Sequence, residues 1–279
     1  MIKKPQKGSG CGTGCLSLII ILVLFFAGSY FYVKHRLDSF DKIDESEKKL
    51  EAIYGSVYDF TPDINTNYNS SRIKKFLEVR SSISNEMNEL DSALSGMQNE
   101  IEGIVDDPSF WDILTIVKSG FGLIPDIVRY SMARNEALLA NQMGLGEYDY
   151  IYYTAFYVIL DKSPGDGPKF RLEGEGGDKD EQYGEKVFEN RRIKISIYVN
   201  RLAREHLTNL KEILVLTDPE NPSLPLIEEE ISRLNSGNTV LPWKTVKPDF
   251  ITAPFKDYMS EMNASYNFLI NPLELDSKD

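Results

Sequence analysis

Apolar positions along this chain form one continuous run followed by a series of periodic stripes. The run is Leu16 to Tyr32, opening LSLIIILVLFFAG, and no charged residue occurs between Lys7 and Lys34. As a helix, residues 12–33 would span about 33 Å at about 1.5 Å per residue, against a hydrocarbon core of about 30 Å. Tyr30, Phe31 and Tyr32 stand just before Lys34 and Arg36, the aromatic-then-basic edge expected where a membrane helix leaves the bilayer. The pattern predicts a short tail over 1–11 and a transmembrane helix over 12–33. A cleaved signal peptide is the competing reading, with Ala27-Gly28-Ser29 as a cutting site. Continuation of the apolar run past that site favours a retained anchor.

Beyond the run, the periods are helical. Residues 34–60 are charged and only loosely periodic, which predicts a stalk or linker. FTPDINTNYNSS, Phe60 to Ser71, is a turn-rich break. The strongest stripe follows: Ile73, Phe76, Ile83, Met87, Leu90, Leu94, Met97, Ile101 and Ile104, with Arg80 on the same face. It predicts one long helix entered through Ser70 or Ser71 as N-cap, packed in a bundle rather than a coiled coil. Asp107-Pro108 and Pro125 open two further helices. Gly144 and Gly146 bracket a tight turn before a fourth helix over about 147–161. A Gly- and acid-rich segment, 163–184, predicts a mobile loop. A long helix over about 185–216 carries Ile195, Val199, Leu202, His206, Leu210 and Ile213 on one face. A shorter helix carries Leu226, Ile227, Ile231 and Leu234, and Leu241-Pro242-Trp243 reads as an apolar plug over an open end of the bundle. The last helix starts at Thr252-Ala253-Pro254, with Phe255, Tyr258, Met259, Met262, Tyr266 and Leu269 as its stripe, and Asn271-Pro272 is expected to stop it.

The fourth helix is dense in aromatic residues: Tyr148, Tyr150, Tyr152, Tyr153, Phe156 and Tyr157. Such clusters can bind sugars or peptides, but core rings with hydroxyls at the edge are the favoured reading. The stretch RNEALLANQMGLGEYDYIYYTAFYVIL, Arg134 to Leu160, resembles one shared by uncharacterised single-span, membrane-anchored bacterial proteins, above all over Arg134–Tyr152. Those proteins also begin with a short Lys/Gly/Cys-rich tail and one apolar span. The resemblance implies a bacterial envelope protein and supplies no activity and no site residue.

Charge narrows the partners. Net charge is −12, and every charged residue up to Arg36 is basic, so the remainder is more acidic still. A body of that sign is repelled by nucleic acid and anionic headgroups. Arg191, Arg192, Arg201 and Arg204 give the long helix a basic side, read either as pairing with acidic neighbours or as an anion or partner site.

Candidate chemistry is sparse. The two cysteines, Cys11 and Cys15, precede the apolar core, whereas a lipoprotein cysteine would follow it. They suit close helix packing in a membrane, or S-acylation. The histidines are His35 and His206, the latter on an apolar stripe and read as a hydrogen-bonded core residue. Asp178, Asp180 and Glu181 suggest calcium, but Tyr183 stands where an EF-hand requires Gly. No HExxH, GxSxG, CxxC, P-loop or Rossmann pattern occurs. No catalytic residue is selected, and no cofactor or metal is expected.

The expectation is therefore an all-α protein: an N-terminal transmembrane helix, a stalk over 34–60, and an irregular multi-helix bundle over 61–279. Its place is the inner membrane, single-pass, held through residues 12–33, with the helical domain on the periplasmic side. Its role is a protein-interaction or structural module, through a protein partner or self-association, with enzymatic activity disfavoured but left open. The alternative is a ligand-binding or carboxylate-based hydrolytic domain using a cleft in the bundle.

Overall fold

The structure, a computed structural model, describes residues 41–102, 122–168 and 179–275. Every regular element among them is helical. The chain runs through α1 (41–54), α2 (Thr66–Ser82), α3 (Ser84–Glu102), α4 (Ile124–Ala140) and α5 (Leu145–Tyr153). A π-helical segment, Thr154–Ile159, extends α5, and the long α6 is Lys179–Thr217. Then come α7 (Leu224–Asn235), α8 (Asp249–Thr252), a 3-10 segment Ala253–Tyr258, α9 (Met259–Ser265) and α10 (Asn271–Glu274). Among the described residues no helix is long and apolar enough to cross a membrane. The expected span over 12–33, Cys11, Cys15, His35, Asp107-Pro108 and Ile104 lie outside them.

The stripes predicted for the core are largely the core. Ile73, Phe76, Ile83, Leu90 and Leu94 are buried, as are Ile195, Val199, Leu202, His206 and Leu210. Ile213 departs from its stripe: it is exposed, and Leu214 is buried in its place. The expected N-cap moves upstream. Asn65, not Ser70 or Ser71, starts α2, its side chain accepting from the backbone N–H groups of Asn67 and Tyr68. The long stripe is also two helices rather than one. They are separated at Ile83, where the Ser82 hydroxyl bonds back to the Val79 carbonyl at 2.7 Å.

Residues 41–60 belong largely to the packed body. Leu50 on α1 is buried, and Tyr54, Val57, Tyr58 and Phe60 pack on the core. This stretch approaches the start of α5 so closely that the two glycines there have a steric task. A Cβ on Gly144 would lie 2.7 Å from Tyr54 Cβ, and one on Gly146 would lie 2.6 Å from the Val57 carbonyl oxygen. The left-handed residue of the turn is Gln142, at φ 54°.

Two segments differ from expectation. Of the predicted mobile loop 163–184, residues 179–184 are helical. Residues 163–168 are held: Arg191 donates to the carbonyls of Gly165 and Pro168, and Asn271 donates to that of Asp166. The predicted last helix is broken into α8, the 3-10 segment and α9, and Asn271-Pro272 begins a helix instead of ending one. Proline fits the first turn, where its missing N–H costs nothing. Trp243 of the apolar plug is buried against Phe250, with ring centroids 5.7 Å apart. Its φ of 55° is unusual for a bulky residue. The Glu230 carboxylate accepts its N–H at 2.5 Å and secures that conformation.

Candidate functional site

The tyrosine-rich helix builds two polar systems, one whose groups are closely paired and one that is open. The closely paired one lies on the α2-facing side of α5. Arg80 donates through Nη1 to Glu274 at 2.7 Å and to the Tyr148 hydroxyl at 2.9 Å. Through Nε and Nη2 it donates to the Ser265 carbonyl. Tyr148 in turn donates to the other Glu274 oxygen at 2.7 Å. The rings of Phe76, Tyr152 and Phe156 cover the guanidinium, with centroids 5.4–5.8 Å away. Burial by itself would raise the Glu274 carboxyl. The charge of Arg80, the nearby Tyr130 hydroxyl and the hydrogen bonds from Arg80 and Tyr148 outweigh it, and its pKa lies below the ordinary value. The Tyr130 hydroxyl sits near enough to act on this carboxylate but has no partner of regular hydrogen-bond geometry.

The π segment extends the closely paired system. Tyr152 and Tyr157 are five residues apart, the i→i+5 spacing of a π turn, and both hydroxyls donate to Asn271 Oδ1, at 3.0 and 2.8 Å. Desolvation raises the pKa of both phenols well above the ordinary value, so both remain neutral donors.

The open system is a partly enclosed cleft of about 260 Å³. Glu47 and Glu51 of α1 form one wall, and Gly55 to Tyr58 the rim. Arg134 of α4, Asp149 of α5, Tyr198 of α6 and Glu274 of α10 form the rest. Tyr198 donates to Asp149 at 3.0 Å. Arg134 is 2% exposed, yet its contacts are long: 3.2 Å to the Glu274 carbonyl, 3.4 Å to the Leu273 carbonyl and to Asn135 Oδ1, and 3.9 Å to the nearest Glu47 oxygen. Burial disfavours its charge, but the acidic and phenolic groups around it more than offset this and the guanidinium stays protonated.

The rim is fastened from behind by His206. Its Nε2 is 2.7 Å from the Val57 carbonyl and is therefore the protonated nitrogen, while buried Nδ1 has no partner. Desolvation lowers its pKa to about 4, despite the opposing hydrogen bond. His206 is thus the hydrogen-bonded core histidine expected from its stripe. The tyrosine cluster is likewise core: Tyr148, Tyr150, Tyr152, Tyr153 and Tyr157 are all buried.

The four arginines of α6 are not gathered into one site. Arg191 holds the 165–168 turn, Arg192 pairs with Glu189 at 2.6 Å, and Arg204 reaches Asn235. Arg201 lies 4.9 Å from the Tyr58 ring, beside the cleft. Among the described residues no group of three or more His, Cys, Asp or Glu is placed to hold a metal ion. Asp180 and Glu181 fall within α6.

The cleft residues went unselected in the sequence. Only the four-residue spacing of Glu47 and Glu51 and the lone acid within Tyr148-Asp149-Tyr150 hinted at them. No family model, curated protein or solved structure matches this chain.

Proposed function

We propose that this chain is a single-span envelope protein whose helical body binds a small polar ligand in the cleft between α1 and α5. The convergence of Glu47, Glu51, Arg134, Asp149 and Tyr198 on one cavity carries this reading. Sites of this kind combine apolar walls with a few converging polar groups. At about 260 Å³ the cleft is smaller than the roughly 300–1,000 Å³ of drug-sized sites, which points to a compact solute. The charge-free run over 12–33 and its aromatic-basic edge support the anchor in the inner membrane, with the body on the periplasmic side.

The test uses the full chain in maltoside micelles. Its thermal unfolding is followed against a panel of amino acids, polyamines, sugars and dicarboxylates. At least one class should raise Tm, and Asp149→Asn should abolish the rise. A flat response to every class, with no small molecule retained in native mass spectra, would overturn the reading. Protease added to spheroplasts should cut the body and leave a membrane-embedded fragment.

A second reading, a module for binding another protein, draws on the end of α6. Ile213, Val215 and Leu216 are 46%, 49% and 84% exposed there, although they are large apolar residues. Leu216→Asp should then release a protein crosslinked to the wild type in intact membranes. Unchanged crosslinking would remove this surface from consideration. Self-association through the membrane helix would appear as a Cys11- and Cys15-dependent crosslinked dimer.

A further inference from the structure

The open cleft sets an inadequately matched cation opposite two acids that repel each other. Arg134 is buried as deeply as Arg80, each being 2% exposed. Arg80 has a carboxylate at 2.7 Å, whereas the nearest carboxylate oxygen to Arg134 is at 3.9 Å. A buried guanidinium is costly unless close, well-aligned acceptors replace its hydration. Its planar fork is best matched by two parallel bonds to a carboxylate or phosphate. Across the cavity, Glu47 and Glu51 stand one helical turn apart on α1 and both face the space. Like charges at that spacing destabilise a helix.

We propose that the cleft takes a small zwitterion, its acidic group on Arg134 and its ammonium between Glu47 and Glu51. This rests on the ligand-binding reading above. A simple cation would leave Arg134 facing it with no new acceptor. A simple anion would meet Arg134 but would also face the carboxylates of Glu47 and Glu51 on the opposite wall. A zwitterion places an opposite charge against each wall. Two sources share this chemistry: a free α-amino acid or short peptide, and the phosphoethanolamine headgroup of a lipid.

Calorimetry on the full chain in dodecyl maltoside distinguishes them. The probes are L-alanine, L-alanyl-L-alanine and glycerophosphoethanolamine. L-alaninamide lacks the acid and N-acetyl-L-alanine lacks the ammonium. At least one zwitterion should bind, and whichever of the two kinds binds names the source. For an amino acid, each single-charge analogue should bind at least tenfold more weakly; for the headgroup, glycerol phosphate and ethanolamine serve the same purpose. Arg134→Gln should abolish zwitterion binding. Because that change is buried, Glu51→Gln at an exposed position supplies the second variant. It should weaken the zwitterion at least fivefold and leave the ammonium-free analogue unchanged or tighter. If a cation-only or anion-only probe binds as tightly as the zwitterion, the zwitterion assignment is wrong while ligand binding stands. Binding of a sugar or polyamine, with no zwitterion bound, would likewise overturn the zwitterion and keep the cleft as a ligand site. If no probe of any class binds, both readings fail together.

Discussion

Arg80 and Arg134 are equally buried, yet they do opposite things. Arg80 is satisfied: carboxylate, phenol and carbonyl acceptors surround it, three aromatic rings cover it, and the side chains of its ion pair with Glu274 are almost wholly buried, although each borders a pocket. Arg134 also borders a pocket but has acceptors only at 3.2 Å or beyond, and that is what separates the two. The same residue type is a fastening where its acceptors are complete and a recognition element where they are not. Glu274 belongs to both systems, its carboxylate bonded to Arg80 and its carbonyl to Arg134, so α10 ties the fastening to the cleft.

The largest effect should come from breaking the closed pair. Glu274→Gln leaves Arg80 charged and buried without its counter-ion, and loss of one partner of such a pair costs about 3–5 kcal/mol. Chemical denaturation should show this as a lower midpoint at constant slope. Arg134→Gln should cost clearly less, since it gives up only long contacts. If the two substitutions prove equally costly, the distinction between the two arginines collapses.

Next in size is a dependence on pH centred on His206. Its pKa is about 4 in the folded chain, against an ordinary value of 6.5. Between those values the unfolded chain binds the proton and the folded chain does not. Stability therefore falls as pH drops from about 6.5 to about 4, by up to about 3 kcal/mol at about 1.4 kcal/mol per unit. Glu274, with its depressed folded pKa, adds loss only below its unfolded value, as pH falls through the folded one. Denaturation midpoints measured from pH 7.5 to 4.5 should fall for the wild type and stay nearly level for His206→Gln. A wild-type profile as flat as that of the variant would show that the rim is not held by a buried neutral imidazole.

Gly146→Ala probes the same rim by steric means. The new methyl would approach the Val57 carbonyl to 2.6 Å, and backbone must move to admit it. Overpacking of this sort costs about 1–3 kcal/mol. Because Val57 lines the cleft, ligand affinity should drop along with Tm. A loss of stability without a loss of affinity would separate rim from site.

How far these features were legible depends on the distance their causes span. The helices were readable because an apolar stripe is local, and Ile195 to Leu210 can be followed one turn at a time. The π segment, the break at Ile83 and the 3-10 stretch were not. The π segment answers to partners far along the chain, as when Tyr152 and Tyr157 converge on Asn271, while the Ile83 break interrupts an apolar stripe that continues unchanged across it. Arg80 was visible as a charge on an apolar face, but its partner is 194 residues away, beyond a proline that resembled a helix stop. The cleft draws on α1, α4, α5, α6 and α10, and no two of those segments carry a motif that foretells their meeting. The short α10 was the costliest omission: Asn271 and Glu274, both fully buried, organise the tyrosine helix from the far end of the chain.

The smallest effect is expected at Glu51, where the cleft should separate stability from binding most cleanly. Glu51 is exposed and stands one turn from Glu47 on the same wall. Removing its charge relieves a like-charge pair worth about 0.2–0.5 kcal/mol in a helix. Glu51→Gln should therefore leave unfolding unchanged or raise it slightly, and salt should diminish even that gain by screening. A residue kept for the fold would not give stability upon neutralisation, whereas one facing a ligand's positive end would. If Glu51→Gln instead destabilises the chain by more than about 1 kcal/mol, beyond the usual range for surface changes, the acid wall is structural. The contrast with the closed Arg80–Glu274 pair would then be one of degree.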